Sequence, residues 1–158
     1  MNINIFVSPY HTLHIPSTEF QFDDIPFGYE TLEFFEHDLI HLMVHSQGMG
    51  LAANQIGITK RFFAIGHESF DVFQKPAIIY NPVLVHADDE QEVAQEGCLS
   101  FPGLLLQVSR PRTIMVRYQN NKGEFLMSRL IGMEARCFQH ELDHINGVTF
   151  KQRAMKEK

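Results

Sequence analysis

The sequence predicts an α+β domain in which largely antiparallel β-sheets pack around a C-terminal helix, with one further helix in the N-terminal half. Apolar residues recur at helical spacing in two segments, and several short strand-like segments lie between them. Glycine, asparagine and proline separate these segments. A chain of 158 residues is long enough for one domain with a substantial core, and we assign residues 1–158 to that domain.

The N-terminal part of the chain is predicted to contain an irregular arm and a helix. Residues 1–27 form the arm, because prolines interrupt them at positions 9, 16 and 26. A helix from Tyr29 to about Gln47 follows, since leucine and phenylalanine recur there at intervals of three and four residues. Gly48 and Gly50 end this helix.

The middle of the chain is predicted to form strands, and the last part a helix. The strand candidates are Arg61–Ile65, Ala77–Val85, Leu104–Ser109, Thr113–Gln119 and Glu124–Leu130. Residues 120–123 form a hairpin turn between the last two strands. The final helix runs from about Gly132 to Ile145 and stops at Asn146-Gly147.

Composition and charge exclude several classes of protein. The formal net charge of −6 argues against binding to nucleic acid, and no apolar stretch approaches the roughly 20 residues that cross a bilayer. Without a basic leader segment the chain is expected in the cytoplasm, so Cys98 and Cys137 are predicted to be thiols rather than a disulfide. Arg153, Lys156 and Lys158 are interpreted as an ordinary polar tail.

The strongest chemical signal is His140-Glu141-Leu142-Asp143-His144 within the last predicted helix. Residues four apart lie on one helix face, so both imidazoles can reach one metal ion. Glu141 lies beside the first imidazole, where it can take a proton from the water that a catalytic metal activates. On its own the motif also fits a charged, solvated helix surface.

A catalytic metal site of this kind needs a third protein ligand. Downstream of His144 only Glu157 offers a ligand atom, and it lies next to the chain end, so we look upstream. Cys137 shares a helix face with His140, but its seven-residue separation from His144 corresponds to about 10.5 Å at ~1.5 Å per residue. Ligands of one zinc-like ion lie only about 4 Å apart. We therefore choose Cys98, which another segment can bring to the helix.

Two further segments have the composition of backbone that approaches a ligand closely. Gly97 and Cys98 lie in EGCLS, where the Leu99 amide can point into the site. The segment 48–55, GMGLAANQ, contains two glycines and two alanines and ends in Gln55, an uncharged amide donor. Taken alone, each segment also fits a strand end or a tight turn.

Together, GMGLAANQ (48–55), EGCLS (96–100) and QHELDH (139–144) resemble in order and spacing the three motifs of the peptide deformylases. The resemblance extends from about Gly48 to Phe150, about two thirds of the sequence. It implies an α+β fold with antiparallel sheets around a central helix that bears the HExxH motif. It also implies removal of the formyl group from the N-terminal formyl-methionine of nascent polypeptides.

The resemblance implies a role for each matching residue. Cys98, His140 and His144 would bind one divalent metal ion, Fe(II) in cells, with nickel, cobalt or zinc as substitutes. Glu141 would act as general acid and base. Gln55 and the backbone amide of Leu99 would stabilise the oxyanion.

The resemblance also implies substrate contacts and a supporting ion pair. The backbone at Met49, Gly50 and Gly97 would pair with the substrate chain in a strand-like manner. Met133 and Cys137, beside the ligands on the last helix, would form part of an apolar methionine pocket. A further pair, Glu96 and Arg110, would hold the Cys98 loop in place. Whether Asp143 orients a ligand or faces solvent stays open.

The chain departs from the family pattern at three places. Leu105 stands where many relatives carry an arginine near the mouth of the site, and the N-terminal arm matches the family poorly. The chain also ends soon after Phe150, without the C-terminal helical tail of many bacterial members. The partners that the resemblance implies are formyl-methionine N-termini and a transient ribosome contact, with neither nucleic acid nor membrane, and we expect a monomer.

Three other functions are compatible with parts of this pattern. A zinc endopeptidase with the same HExxH motif would need a downstream ligand and leaves EGCLS unexplained. A decayed, non-catalytic metal- or peptide-binding domain has no reason to keep both Gln55 and Glu141. An interaction protein without metal explains least of the pattern.

Overall fold

The structure is a computed structural model that describes residues 3–155. Lys156 and Lys158, interpreted from the sequence as a polar tail, and Glu157, set aside as a metal ligand, lie outside the described residues, as do residues 1 and 2. Two antiparallel sheets and a C-terminal helix make up the core, so the predicted fold class is confirmed. The described strands are β1 Gly50–Ala52, β2 Phe62–Ile65, β3 Ala77–Ala87, β4 Gln91–Cys98, β5 Phe101–Pro111, β6 Thr113–Gln119 and β7 Phe125–Ile131.

The larger sheet has five strands in the order β1-β2-β3-β6-β7, and all its neighbours are antiparallel. Helices cover both of its faces. In β2 the side chains alternate: Phe63 and Ile65 join the cluster around the C-terminal helix, whereas Phe62 and Ala64 join the cluster around the N-terminal helix. Because both faces are covered, every residue of β2 is buried, which explains its continuous apolar sequence.

The smaller sheet is the hairpin of β4 and β5. Its register shifts between Glu96 and Cys98, where Cys98 pairs with Phe101 across a two-residue turn. The sequence did not predict β4, because its residues are mostly polar and one face is exposed. It also did not predict β1, and it placed the start of β5 three residues too late.

The N-terminal helix α1 spans Leu32–His45. The Thr31 side chain accepts a hydrogen bond from Phe34 N at 3.2 Å and caps its start. Leu32, Phe35, Leu39 and Met43 form its buried stripe. The prediction of a helix here is confirmed, with bounds two or three residues inside the predicted ones.

The C-terminal helix α2 spans Met133–Ile145, and every residue from Glu134 onward is buried. Gly132 at its N-cap has φ 67°, a left-handed conformation that suits glycine. The helix stops at Asn146, and Gly147 follows with φ 77°, as the sequence predicted. A short helix α3, Phe150–Arg153, comes next. Because α2 lies between the two sheets, polar side chains on it have neighbours in both.

The N-terminal arm contains short structure that the sequence did not reveal. Two 3₁₀ turns occupy His11–His14 and Pro26–Gly28. Leu13 and Phe20 are buried, so the arm packs on the domain surface. Within residues 3–155, none of the helices has the length and apolar content needed to span a membrane.

Candidate metal centre and active site

Cys98 lies at the end of β4, and His140 and His144 lie one turn apart on α2. The structure brings these three side chains together, with their ligand atoms all within 4.8 Å of one another. Cys98 Sγ lies 3.2 Å from His144 Nε2. The register shift that ends β4 turns Cys98 toward the helix, so the strand supplies the thiol that one helix cannot supply alone.

Cys137 does not join this cluster. It lies one turn before the histidines, is buried, and lines the adjacent cavity. Burial raises the pKa of the Cys137 thiol well above its ordinary value, so it stays protonated and apolar in character. Both cysteines are free thiols.

Glu96 holds the outer side of His140. Its Oε1 lies 2.9 Å from His140 Nδ1, which leaves the other ring nitrogen for the metal. Arg110 donates to both oxygens of Glu96, from Nε at 2.6 Å and from Nη2 at 3.0 Å. Burial opposes ionisation of Glu96, but hydrogen bonds with His140 and Arg110 outweigh it and lower its pKa to about 2. The predicted partners Glu96 and Arg110 therefore form a buried, charged pair.

Arg136 is a member of this network that the sequence analysis missed. Its Nη1 donates to Glu96 Oε2 at 2.6 Å and to the Val108 carbonyl at 2.9 Å. Arg136 is almost fully buried, at 4% exposure. It lies four residues before His140 on α2, so a charge at that spacing from the first imidazole was the available signal.

Asp143 has a definite place in the structure. Its Oδ2 accepts from Arg110 Nη1 at 2.9 Å and from Arg153 Nε at 3.2 Å, so it faces the arginines rather than solvent. The interpretation of Arg153 as an ordinary polar tail residue was wrong. Because α3 folds back against β5, Arg153 reaches a buried carboxylate on α2.

Glu141 is buried beside the histidines, and within residues 3–155 its Oε1 has no hydrogen-bond partner. Gly50 makes room for it: a Cβ at that position would lie 2.6 Å from Glu141 Oε2. Burial raises the pKa of Glu141 to about 7. A carboxyl with this pKa can both accept and release a proton near neutral pH.

The two histidines differ in protonation. Burial lowers the pKa of His144 well below its ordinary value, and the charge of His140 lowers it further, so His144 is a neutral ring. Burial also disfavours charge on His140, but its hydrogen bonds with Cys98 and Glu96 outweigh this and raise its pKa to about 10. His140 therefore carries a proton in the metal-free chain, which a bound metal ion would replace.

Gln55 lies in a 3₁₀ turn directly after β1 and is 1% exposed. Its Oε1 accepts from Ala52 N at 2.8 Å. Its Nε2 donates to Ser100 Oγ at 3.1 Å and points at Cys98 Sγ at 3.7 Å. The Gln55 amide nitrogen therefore lies between Ser100 and the thiol of the cluster.

A cavity of about 660 Å³ opens beside the cluster. The remaining predicted site residues all line it: Met49, Gly50, Gly97, Leu99, Met133 and Cys137. Leu105 also lines it and is 60% exposed, which places this residue at the mouth. Ile5 of the arm and Arg136 line it too, although the sequence analysis had not assigned either to the site.

The residues present fit a divalent metal ion. One thiol and two imidazoles converge, a set that suits iron, cobalt, nickel and zinc. Three protein donors would leave coordination positions for water or substrate, and Oε1 of the neighbouring Glu141 has no hydrogen-bond partner among the described residues. The fold and this site define the class of protein as a metal-dependent hydrolase with an HExxH helix.

The comparisons with known proteins identify the family. The family model for polypeptide deformylase matches residues 3–158. A peptide deformylase from Thermotoga petrophila is 47% identical over 119 residues, which are 75% of this chain and 70% of that protein. For the Thermotoga maritima relative, also 47% identical, the alignment spans 64% of its length.

Solved structures agree with this result over nearly the whole chain. The crystal structure of the Thermotoga maritima peptide deformylase matches with a TM-score of 0.86 and 38% identity, covering 98% of both chains. A Synechococcus elongatus peptide deformylase, solved with actinonin, matches with a TM-score of 0.85 and 32% identity, covering 98% of this chain and 80% of that one. The chain belongs to the peptide deformylase family.

Proposed function

We propose that the protein removes the formyl group from the N-terminal formyl-methionine of nascent polypeptides. The observation that carries this proposal is the convergence of Cys98, His140 and His144 in a chain of this family, next to a buried Glu141 whose Oε1 has no partner among the described residues. The adjoining cavity supports a methionine substrate, because Met133 and Cys137 give its wall an apolar surface.

Cys98, His140 and His144 would hold a metal ion, which when bound would polarise the formyl carbonyl as a Lewis acid and acidify the attacking water. Glu141 takes the proton of that water and then delivers it to the departing amine. In the metal-free chain burial raises the pKa of Glu141 to about 7, and a nearby bound cation would lower it and favour the carboxylate that accepts the proton. Gln55 Nε2 and the Leu99 amide donate hydrogen bonds to the developing oxyanion.

Other residues hold the reacting groups in place. The backbone at Met49, Gly50 and Gly97 pairs with the substrate chain, which orients the formyl group toward Glu141. Glu96, held by Arg110 and Arg136, fixes the His140 ring from its outer side.

Fe(II) is the metal that we propose for the cell, with nickel, cobalt or zinc as substitutes. The proposed setting is the cytoplasm, where two free thiols are chemically stable. We further propose a monomer that acts at nascent N-termini, with a transient ribosome contact. The acidic net charge of −6 supports the absence of a stable nucleic-acid partner.

The test follows release of formate from formyl-Met peptides by protein loaded with Fe(II) without oxygen, or with Ni(II). Acetyl-Met peptides serve as substrate control, and Cys98→Ala protein serves as the variant that loses a ligand. We expect formate from the first substrate alone and little activity from the variant. Cleavage inside N-terminally blocked peptides would instead reveal a metalloendopeptidase, and no turnover of either kind would indicate a binding protein.

A further inference from the structure

The Gln55 amide has only one orientation that satisfies its neighbours. The Ala52 N–H can only donate, so the amide oxygen of Gln55 must face it at 2.8 Å. The Gln55 nitrogen therefore faces the opposite side, 3.1 Å from Ser100 Oγ and 3.7 Å from Cys98 Sγ. One N–H is used by Ser100, and the other is directed at Cys98 Sγ, one of the proposed metal ligands.

The Ser100 hydroxyl is equally constrained. Gln55 Nε2 can only donate, so Ser100 Oγ must accept from it. The single hydroxyl hydrogen then goes to the Phe6 carbonyl, 2.7 Å away, which can only accept. Ser100 is completely buried, so water does not offer an alternative partner.

The backbone of the N-terminal arm forms hydrogen bonds with the backbone of both Gln55 and Ser100. Phe6 N donates to the Gln55 carbonyl at 2.7 Å, and Ser8 N donates to the Ser100 carbonyl at 2.8 Å. The Phe6 ring is stacked on Tyr10 with centroids 4.1 Å apart, and it packs against Gly57. The carbonyl that receives the Ser100 hydrogen is therefore held in place on both sides.

We propose that Ser100 is a positioning residue for the reaction: its hydroxyl, directed by the Phe6 carbonyl of the arm, holds the Gln55 amide with one N–H toward the site of the oxyanion. This inference rests on the proposed function. Ser100 acts through Gln55 and does not touch the substrate. The irregular N-terminal arm thereby becomes part of the support of the active site.

The kinetic test is a double-mutant cycle of Ser100→Ala and Gln55→Ala, measured with a formyl-Met peptide on metal-loaded protein. In the wild-type background we expect Ser100→Ala to lower kcat about tenfold with KM within about threefold, because the oxyanion donor is loosened rather than removed. In the Gln55→Ala background the same change should alter kcat by less than about twofold, since the group that it positions is gone. Equal losses in both backgrounds, or no loss in the wild type, would overturn the proposal.

Thr12→Val is the matched control. The Thr12 hydroxyl is also buried and donates to a backbone carbonyl, that of Asn54, at 2.7 Å. The Thr12→Val substitution therefore removes a similar hydrogen bond next to Gln55 and leaves the contacts of the Gln55 side chain unchanged. We expect a comparable loss of thermal stability from Thr12→Val but kcat within about twofold of wild type. A tenfold fall in kcat for this control would show a general packing effect and would refute the assignment to Ser100.

A second measurement does not depend on turnover. In metal-loaded wild-type protein, the side-chain amide protons of Gln55 should exchange with solvent at least ~100-fold more slowly than those of the exposed Gln107. Ser100→Ala should speed the Gln55 exchange, whereas Thr12→Val should not. If the wild type releases no formate, the proposed function has failed, and this exchange measurement still decides whether Ser100 holds Gln55. If Ser100→Ala does not fold, exchange at Gln55 as fast as at Gln107 in the wild type overturns the proposal.

Discussion

Gly50→Ala is expected to damage the active site while leaving the fold intact. A Cβ at position 50 would lie 2.6 Å from Glu141 Oε2 and 2.7 Å from Glu141 Cδ and Cγ. Ordinary contact begins at 3.4 Å, so the carboxylate must move by about 0.8 Å. Gly50 lies in the β1 strand, whose backbone alanine readily adopts. The strain therefore falls on Glu141 rather than on the chain at Gly50.

A displacement of that size at a catalytic group costs about 100-fold in kcat. The ligands Cys98, His140 and His144 are untouched, so bound metal should stay at the wild-type level. Overpacking should also lower the free energy of unfolding by about 1–3 kcal/mol. The assays are formate release, metal analysis and urea unfolding of the same preparation.

Two comparisons isolate the clash. Gly48→Ala places its Cβ 2.8 Å from Leu99 Cδ1, the end of a flexible side chain that can rotate away, so its loss of kcat should stay below about tenfold. In a Glu141→Ala background, Gly50→Ala should cost less than about 0.5 kcal/mol of stability, because the clashing atoms are gone. An undiminished cost there, or near-normal turnover of Gly50→Ala, would refute this reasoning.

Three further predictions concern catalysis, pH and the core. Glu141→Ala should keep its metal but lose at least ~100-fold in formate release, and rates within a few fold of wild type would contradict the acid–base role. The pKa of Glu96 is about 2 in the folded chain against an ordinary 4.5, so ionised Glu96 stabilises the fold fully above about pH 4.5 and this contribution is lost as the pH falls toward 2. In metal-free protein, urea unfolding should therefore show a stability decline between pH 4.5 and 2 that is smaller in Glu96→Gln by roughly 3 kcal/mol; parallel curves would contradict it. Phe138→Ala should cost about 3–5 kcal/mol in urea unfolding, since the ring is fully buried and its centroid lies 5.0 Å from that of Phe63; a loss below about 1 kcal/mol would show that the site collapses.

The sequence predicted best where local pattern and turn chemistry agree. Helix α1 shows its buried stripe in the spacing of its apolar residues, and the turn at residues 120–123 closes as expected, with Gly123 N donating to the Asn120 carbonyl at 3.0 Å. The sequence-based prediction missed β4, whose mostly polar residues show no strand-like alternation of apolar side chains. The short β1 was missed because Gly50–Ala52 holds too few residues to show any period.

In the candidate site, too, the sequence predicted the features that depend on local spacing and missed those that depend on tertiary contacts. The four-residue spacing of His140 and His144 is a property of any helix, and the limit on helical reach already argued for Cys98 over Cys137. Arg136 shows only a weak signal, its position four residues before His140, and Arg153 shows none, because the carboxylates that they bind, on Glu96 and Asp143, lie on other elements of the fold. The partners of these two arginines could be assigned only from the structure, which shows which segments are neighbours.

By itself, the sequence determined the elements that arise from local periodicity, the HExxH helix, and the order and spacing of three motifs typical of one family. Only the tertiary structure decided that Glu96 meets three basic side chains, that Asp143 faces arginines, and that the N-terminal arm reaches Gln55 and Ser100. The physical reason is distance along the chain. Helical and turn preferences act over a few residues, whereas the hydrogen bond from Ser100 to Phe6 joins residues 94 positions apart, which only the tertiary structure brings together.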